Sequence, residues 1–95
     1  MSDLGTKIAT IIGYDVSDIQ SQTLIELLVD AGIEDMKAAG VPETLLVKEN
    51  TPKLVVSTLV IFVNDNLNLT SGDHKTSMMY IANVDKLRST IEAAV

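Results

Sequence analysis

Leu54-Val55-Val56-Ser57-Thr58-Leu59-Val60-Ile61-Phe62-Val63 decides the fold of this chain. Only Ser57 and Thr58 interrupt the apolar run, and both are small enough to return their hydroxyls to the backbone of a helix. The run falls well short of the roughly 20 apolar residues that a bilayer crossing needs. A segment apolar all round must therefore be surrounded by protein. Its β-branched residues (Val55, Val56, Thr58, Val60, Ile61, Val63) would also suit a buried strand. Three features favour helix. Thr51-Pro52 places an N-cap before a proline at the first helical position. The run continues through Asn64-Asp65-Asn66-Leu67, past the usual length of a strand. The segments on either side read as amphipathic helices that need an apolar partner. Residues 52–67 are accordingly expected to form a central helix.

Composition sets the scale of what surrounds it. A chain of 95 residues makes one domain, here residues 1–95, and hides roughly 60–65% of its unfolded surface on folding. Tyr14, Phe62 and Tyr80 are the sole aromatics against 46% hydrophobic residues, so the core must be aliphatic. So much aliphatic surface on so small a body leaves some to be covered by another chain. Without cysteine there is neither a disulfide scaffold nor a thiolate metal site. Met1 to Lys7 has no basic stretch followed by an apolar run, so no signal peptide is expected, and the expected compartment is a cytoplasm. The formal net charge is −6. Between Ile8 and Met36 there is no Lys or Arg, while Asp15, Asp18, Glu26, Asp30, Glu34 and Asp35 all fall there. Affinity for phosphate backbones comes from clustered Lys and Arg, so nucleic-acid binding by the whole chain is disfavoured.

Working outward from the centre, residues 3–12 read as a short helix with Leu4, Ile8, Ile11 and Ile12 on one side and Gly13 as its end. Ser17 followed by Gln20 forms a capping box that opens a second helix. That helix runs to about Ala39 and stops at Gly40, with Pro42 beyond. Glu26, Asp30, Glu34 and Lys37 make a narrow polar stripe along it. Nearly everything else is apolar or small, far more than the single stripe of an ordinary surface helix. Contacts on two sides are therefore expected, one with the chain's own core and one with a neighbouring subunit through Ile25 and Val29, although both sides could instead face helices of the same chain. Residues 42–47 are expected to form one turn whose leucines close an end of the core. Asn68 to His74 is a polar loop dense in turn formers. A last helix starts near Thr76 or Ser77, its stripe of Tyr80, Val84, Leu87, Ile91 and Ala94 packing on the central helix, with Ile81 widening it. Met78 and Met79 are expected as apolar filler. The whole is all-α, a small bundle of about four helices.

No constellation for catalysis emerges. His74 stands beside Asp73 in a loop, with no nucleophile in a recognisable local motif. Asn64, Asp65, Asn66 and Asn68 faintly resemble the start of a calcium loop, but the required glycine and the closing glutamate are missing in every register. The glycines are isolated, so no loop cradles a phosphate. No catalytic, cofactor or metal site is expected. The carboxylates of the second helix are expected to be solvated or paired to a partner's basic residues.

The order of these pieces carries a resemblance. A short helix precedes the acidic helix Leu24 to Met36; Pro52-Lys53-Leu54 then opens the aliphatic helix, and the last helix bears Val84-Asp85-Lys86-Leu87-Arg88. Over residues 4–90 this pattern resembles the head–tail connector (head-completion adaptor) proteins of tailed bacteriophages and prophages. The resemblance implies a non-enzymatic protein of the virion's head–tail junction, built in the cytoplasm of a bacterial host. It implies a ring of about a dozen subunits below the portal protein, bridging to a further head-completion or tail protein, away from any membrane. DNA would pass through the channel without specific binding, repelled by acidic residues. In such a ring Ile25, Val29, Glu26, Asp30 and Glu34 would form one sticky face and Lys86 and Arg88 the edge that meets a neighbour's acidic stripe. The alternative is a small acidic protein-binding or carrier module. An acyl carrier needs a helix-opening serine, usually in Asp-Ser-Leu, and Val16-Ser17-Asp18 does not provide that order.

Overall fold

The computed structural model describes residues 1–67 and 78–94, with side chains in the last helix through Ser89. Among them the chain is all-α. Helices α1 (Asp3–Ile12), α2 (Ile19–Ala38), α3 (Lys53–Leu67) and α4 (Met78–Ala94) are joined in part by a one-turn 3₁₀ helix at Glu43–Leu45. The Asn68–His74 loop, the expected start of α4 and the side chains of Ile91 and Ala94 lie outside the described residues. No helix among those described is long and apolar enough to cross a membrane.

Local chemistry accounts for the helix ends. At α1 the Ser2 hydroxyl accepts the Gly5 N–H at 3.0 Å, as an N-cap should. At its other end Gly13 turns left-handed with φ +71°, and Tyr14 N–H returns to the Ala9 carbonyl at 2.9 Å. A residue with a Cβ would resist that conformation. The start of α2 corrects the capping box expected at Ser17. Asp18 is the cap, accepting the Ser21 N–H at 2.7 Å, while the Ser17 N–H is taken by Asp15 at 2.9 Å. A carboxylate is the stronger acceptor for an orphan amide, and the bond from the Ser21 N–H holds the Asp18 carboxyl below its usual range. Gly40, φ +97°, follows the end of α2 as expected.

Helix α3 begins one residue later than the sequence pattern indicates. Pro52 supplies the first carbonyl, accepting the Val56 N–H at 3.0 Å. The Thr51 hydroxyl turns back to the Val47 carbonyl at 2.7 Å instead of capping α3. Ser57 and Thr58 do return their hydroxyls to the helix, to Lys53 O at 3.2 Å and Leu54 O at 2.6 Å. Thr58 is thereby satisfied at a fully buried position. Val55, Val56, Leu59 and Val63 are buried, and Leu54, Val60, Ile61, Phe62 and Leu67 pack on the same core. Only Lys53, Ser57 and Asn64 remain exposed along α3, and their spacing puts them on one narrow line. Helices α1, α2 and α4 all pack against α3.

Two features of the packing fix the angles. Gly32 lies where α2 crosses α3, and a Cβ there would come within 2.6 Å of Leu59 Cδ2 and 3.0 Å of Phe62 Cδ1. Phe62 also meets Tyr80 of α4, ring centroids 5.7 Å apart and tilted by 40°, a favourable aromatic geometry. On α4 the expected stripe is present in Tyr80, Val84 and Leu87, all buried. Ile81, Met78 and Met79 correct the expectation. They are exposed, because one helix resting on α3 buries one narrow stripe and these positions fall beside it. Leu45 and Leu46 of the connecting turn do close against the core.

Replacing Gly32 with valine should force α2 and α3 apart, at a cost of about 1–3 kcal/mol. A lowered midpoint in urea at an unchanged slope is the expected reading. An unchanged midpoint would mean that the crossing has room the structure does not show.

Candidate functional site

The α2 helix places its side chains on two distinct sides. Ile25, Val29, Gly32 and Met36 recur at steps of four, three and four and are buried, so they form the core side. This corrects the expectation that Ile25 and Val29 meet a neighbouring subunit. Both are fully enclosed, because the closest-packed stripe of α2 is the one that Gly32 lets onto α3. The outward apolar residues are others. Ile19 is 73% exposed, Leu27 63% and Leu24 38%. Periodicity alone reveals that α2 has two apolar sides; only the position of the other helices tells which one is inside.

The carboxylates beside that outward face are engaged within the chain. Glu26 Oε1 accepts the Ser2 hydroxyl at 2.7 Å and the Ser2 N–H at 3.1 Å, tying the start of α1 to α2. The carboxylate occupies the space that a Cβ on Gly5 would fill. Lys48, in the connector before α3, reaches back to Asp30 at 2.6 Å and to Glu26 at 3.5 Å. Its hydrogen bond to Asp30 is the main reason its ammonium is held above the usual range. Lys37 is 2.8 Å from Glu43 and 4.0 Å from Glu34. The hydrogen bond between Lys37 and Glu43 raises the lysine and lowers the carboxyl. Asp35 accepts a short hydrogen bond of 2.5 Å from the Tyr80 hydroxyl, joining α2 to α4. Burial, with help from that bond, pushes the Tyr80 phenol well above its ordinary value.

Lys86 and Arg88 are exposed on α4. Arg88 pairs with Asp85 one turn earlier at 3.3 Å, and its side chain runs beside Gly40 at the end of α2. The cation that meets Glu26 and Asp30 within the chain is Lys48, which sequence reasoning missed. A lone lysine in an irregular connector carries no periodic signal. Gly5 and Gly32 carry a signal of another kind, since a glycine inside a helix costs about 1 kcal/mol relative to alanine and so marks a close approach.

A second surface lies between α1 and α3. Lys7, Ile11, Thr51, Lys53, Val56, Ser57 and Val60 line an open groove of about 460 Å³. Ile11, assigned by its spacing to the core side of α1, is instead 55% exposed at the groove's edge. A shallower hollow of about 380 Å³ runs along the outward side of α2, from Met1 and Ile19 to Leu27 and Asp30.

The Tyr80 contact gives a pH-dependent outcome. In the unfolded chain the phenol ionises near pH 10, whereas the fold holds its proton to higher pH. Stability from this contact is complete below about pH 10 and falls as pH rises through the folded value. Tyr80→Phe should cost about 1 kcal/mol at neutral pH and flatten the alkaline loss of stability relative to the unmodified chain. Parallel alkaline slopes for the two proteins would remove the contact from the account.

No family model matches the chain, and neither a curated protein nor a solved structure matches it.

Proposed function

We propose that this chain is a structural assembly component that works by being held by other chains, of the head–tail connector kind. On this reading copies form a ring of about a dozen at the head–tail junction of a tailed phage or prophage, between the portal protein and the next head-completion or tail protein. The observation that carries the reading is the outward side of α2. Ile19, Leu24 and Leu27 stand exposed there although the core is already closed by Ile25, Val29 and Met36 on the opposite side. Aliphatic side chains grouped on one rigid helix and bordered by charge have the make-up of an interface, an apolar centre with a polar rim. The carboxylates nearby are engaged by Ser2, Lys48, Lys37 and Tyr80, which suits a scaffold more than acid–base chemistry. The order of helices that resembles the connector family gives the reading its particular partners.

The test is to look for a portal gene beside the gene for this chain, co-express that portal protein with the chain, and purify and image the complex by electron microscopy. Added density at one end of the portal, with one copy of this chain for each portal subunit, is the expected result. A portal that purifies bare, or a substrate that the chain turns over, would end the reading.

A further inference from the structure

We propose that the groove between α1 and α3 receives the outward face of α2 from a second copy of this chain, in a head-to-tail contact. This pairing rests on the assembly reading above and names the two surfaces that reading leaves open. The groove has an apolar floor, Val56 and Val60, with Ile11 at its edge and two ammonium groups at its rim, Lys7 and Lys53. Among the described residues neither lysine has an ion-pair partner. The face of α2 is its complement. Ile19 and Leu27 project from it. Beside them Lys48 serves both Glu26 and Asp30, and farther along α2 Lys37 serves both Glu34 and Glu43 of the connecting turn. Each lysine is shared by two carboxylates, and even with the Met1 terminal ammonium beside Glu26 the stretch from Glu26 to Glu43 carries more carboxylates than cations. An acidic face with projecting aliphatic side chains therefore meets two unmatched positive charges around an apolar floor.

Charge decides the mode of contact. Groove on groove would oppose lysines to lysines, and face on face would oppose carboxylates to carboxylates, both disfavoured. The two surfaces share no residue, so a contact between unlike surfaces leaves every copy with one of each unused. Such a contact propagates until it closes into a ring or grows into a filament.

Sedimentation velocity and native mass spectrometry of the full chain, across a concentration series, test this. The unmodified chain should form species larger than a dimer, weakened as salt is raised. Lys7→Glu with Lys53→Glu disables the groove, and Ile19→Asp with Leu27→Asp disables the face. All four positions are exposed, and unchanged circular dichroism would verify the folds. Each double variant should be monomeric, its association weakened about a hundredfold or more. Mixed in equal amounts, the two should give a 1:1 dimer that grows no further, since one intact groove then meets one intact face. An unmodified chain that stays single throughout overturns the pairing and leaves the assembly reading to the portal experiment above. An unmodified chain that assembles while both variants assemble equally well overturns the pairing alone, as does assembly that stops at a dimer.

Discussion

A helix with almost no polar side must be enclosed, and the enclosure of α3 governs the rest of this fold. Lys53, Ser57 and Asn64 are its only exposed positions. Everything else has to be covered by the short helices that a chain of this size can supply. Helices α1, α2 and α4 do so, and Thr58 shows how completely. Its hydroxyl is fully buried and is tolerated because the Leu54 carbonyl one turn earlier accepts it. Gly32 belongs to the same solution, since only a residue without a side chain lets α2 come close enough to seal α3 at Leu59 and Phe62.

The sealing of α3 determines what α2 can offer to anything else. With Ile25, Val29 and Met36 committed to the core, the remaining apolar residues of α2 are turned away from it. The carboxylates next to them are restrained without being neutralised. Ser2, Lys48, Lys37 and Tyr80 fix where Glu26, Asp30, Glu34 and Asp35 stand. Exposed ion pairs of this kind contribute little to stability, but they fix the pattern of charge along the face. Lys53 and Ser57, the first two residues of the line of α3 that escapes enclosure, border the lysine-rimmed groove with Lys7 and Ile11 of α1. Both surfaces thus follow from how the bundle closes.

The apolar run of α3, the start of α1 at Asp3, its end at Gly13 and the end of α2 near Gly40 are legible in the sequence, because each depends on chemistry within a few residues. The same holds for the hydroxyls of Ser57 and Thr58. Local pattern misleads where two local solutions compete. Ser17 and Asp18 are both capable caps, and the stronger acceptor prevails. Local pattern is also silent where the answer lies in the third dimension. The assignment of Ile25 and Val29 to an outer surface, and of Ile81, Met78 and Met79 to apolar packing, required knowing which side of each helix met α3. Lys48 and the Tyr80–Asp35 bond connect residues 18 and 45 positions apart, which no local pattern encodes. The groove is harder still, since it joins the end of one helix to the start of another.

If α3 is fully enclosed by its own chain, the monomer is a finished fold and partners dock on its surface rather than complete its core. Amide hydrogen exchange on a dilute, monomeric sample measures this directly. The amides of Leu59 to Val63 should be the slowest in the molecule, exchanging together and only through global unfolding. Exchange there as fast as in α4 would mean that the central helix stays open until another chain closes it.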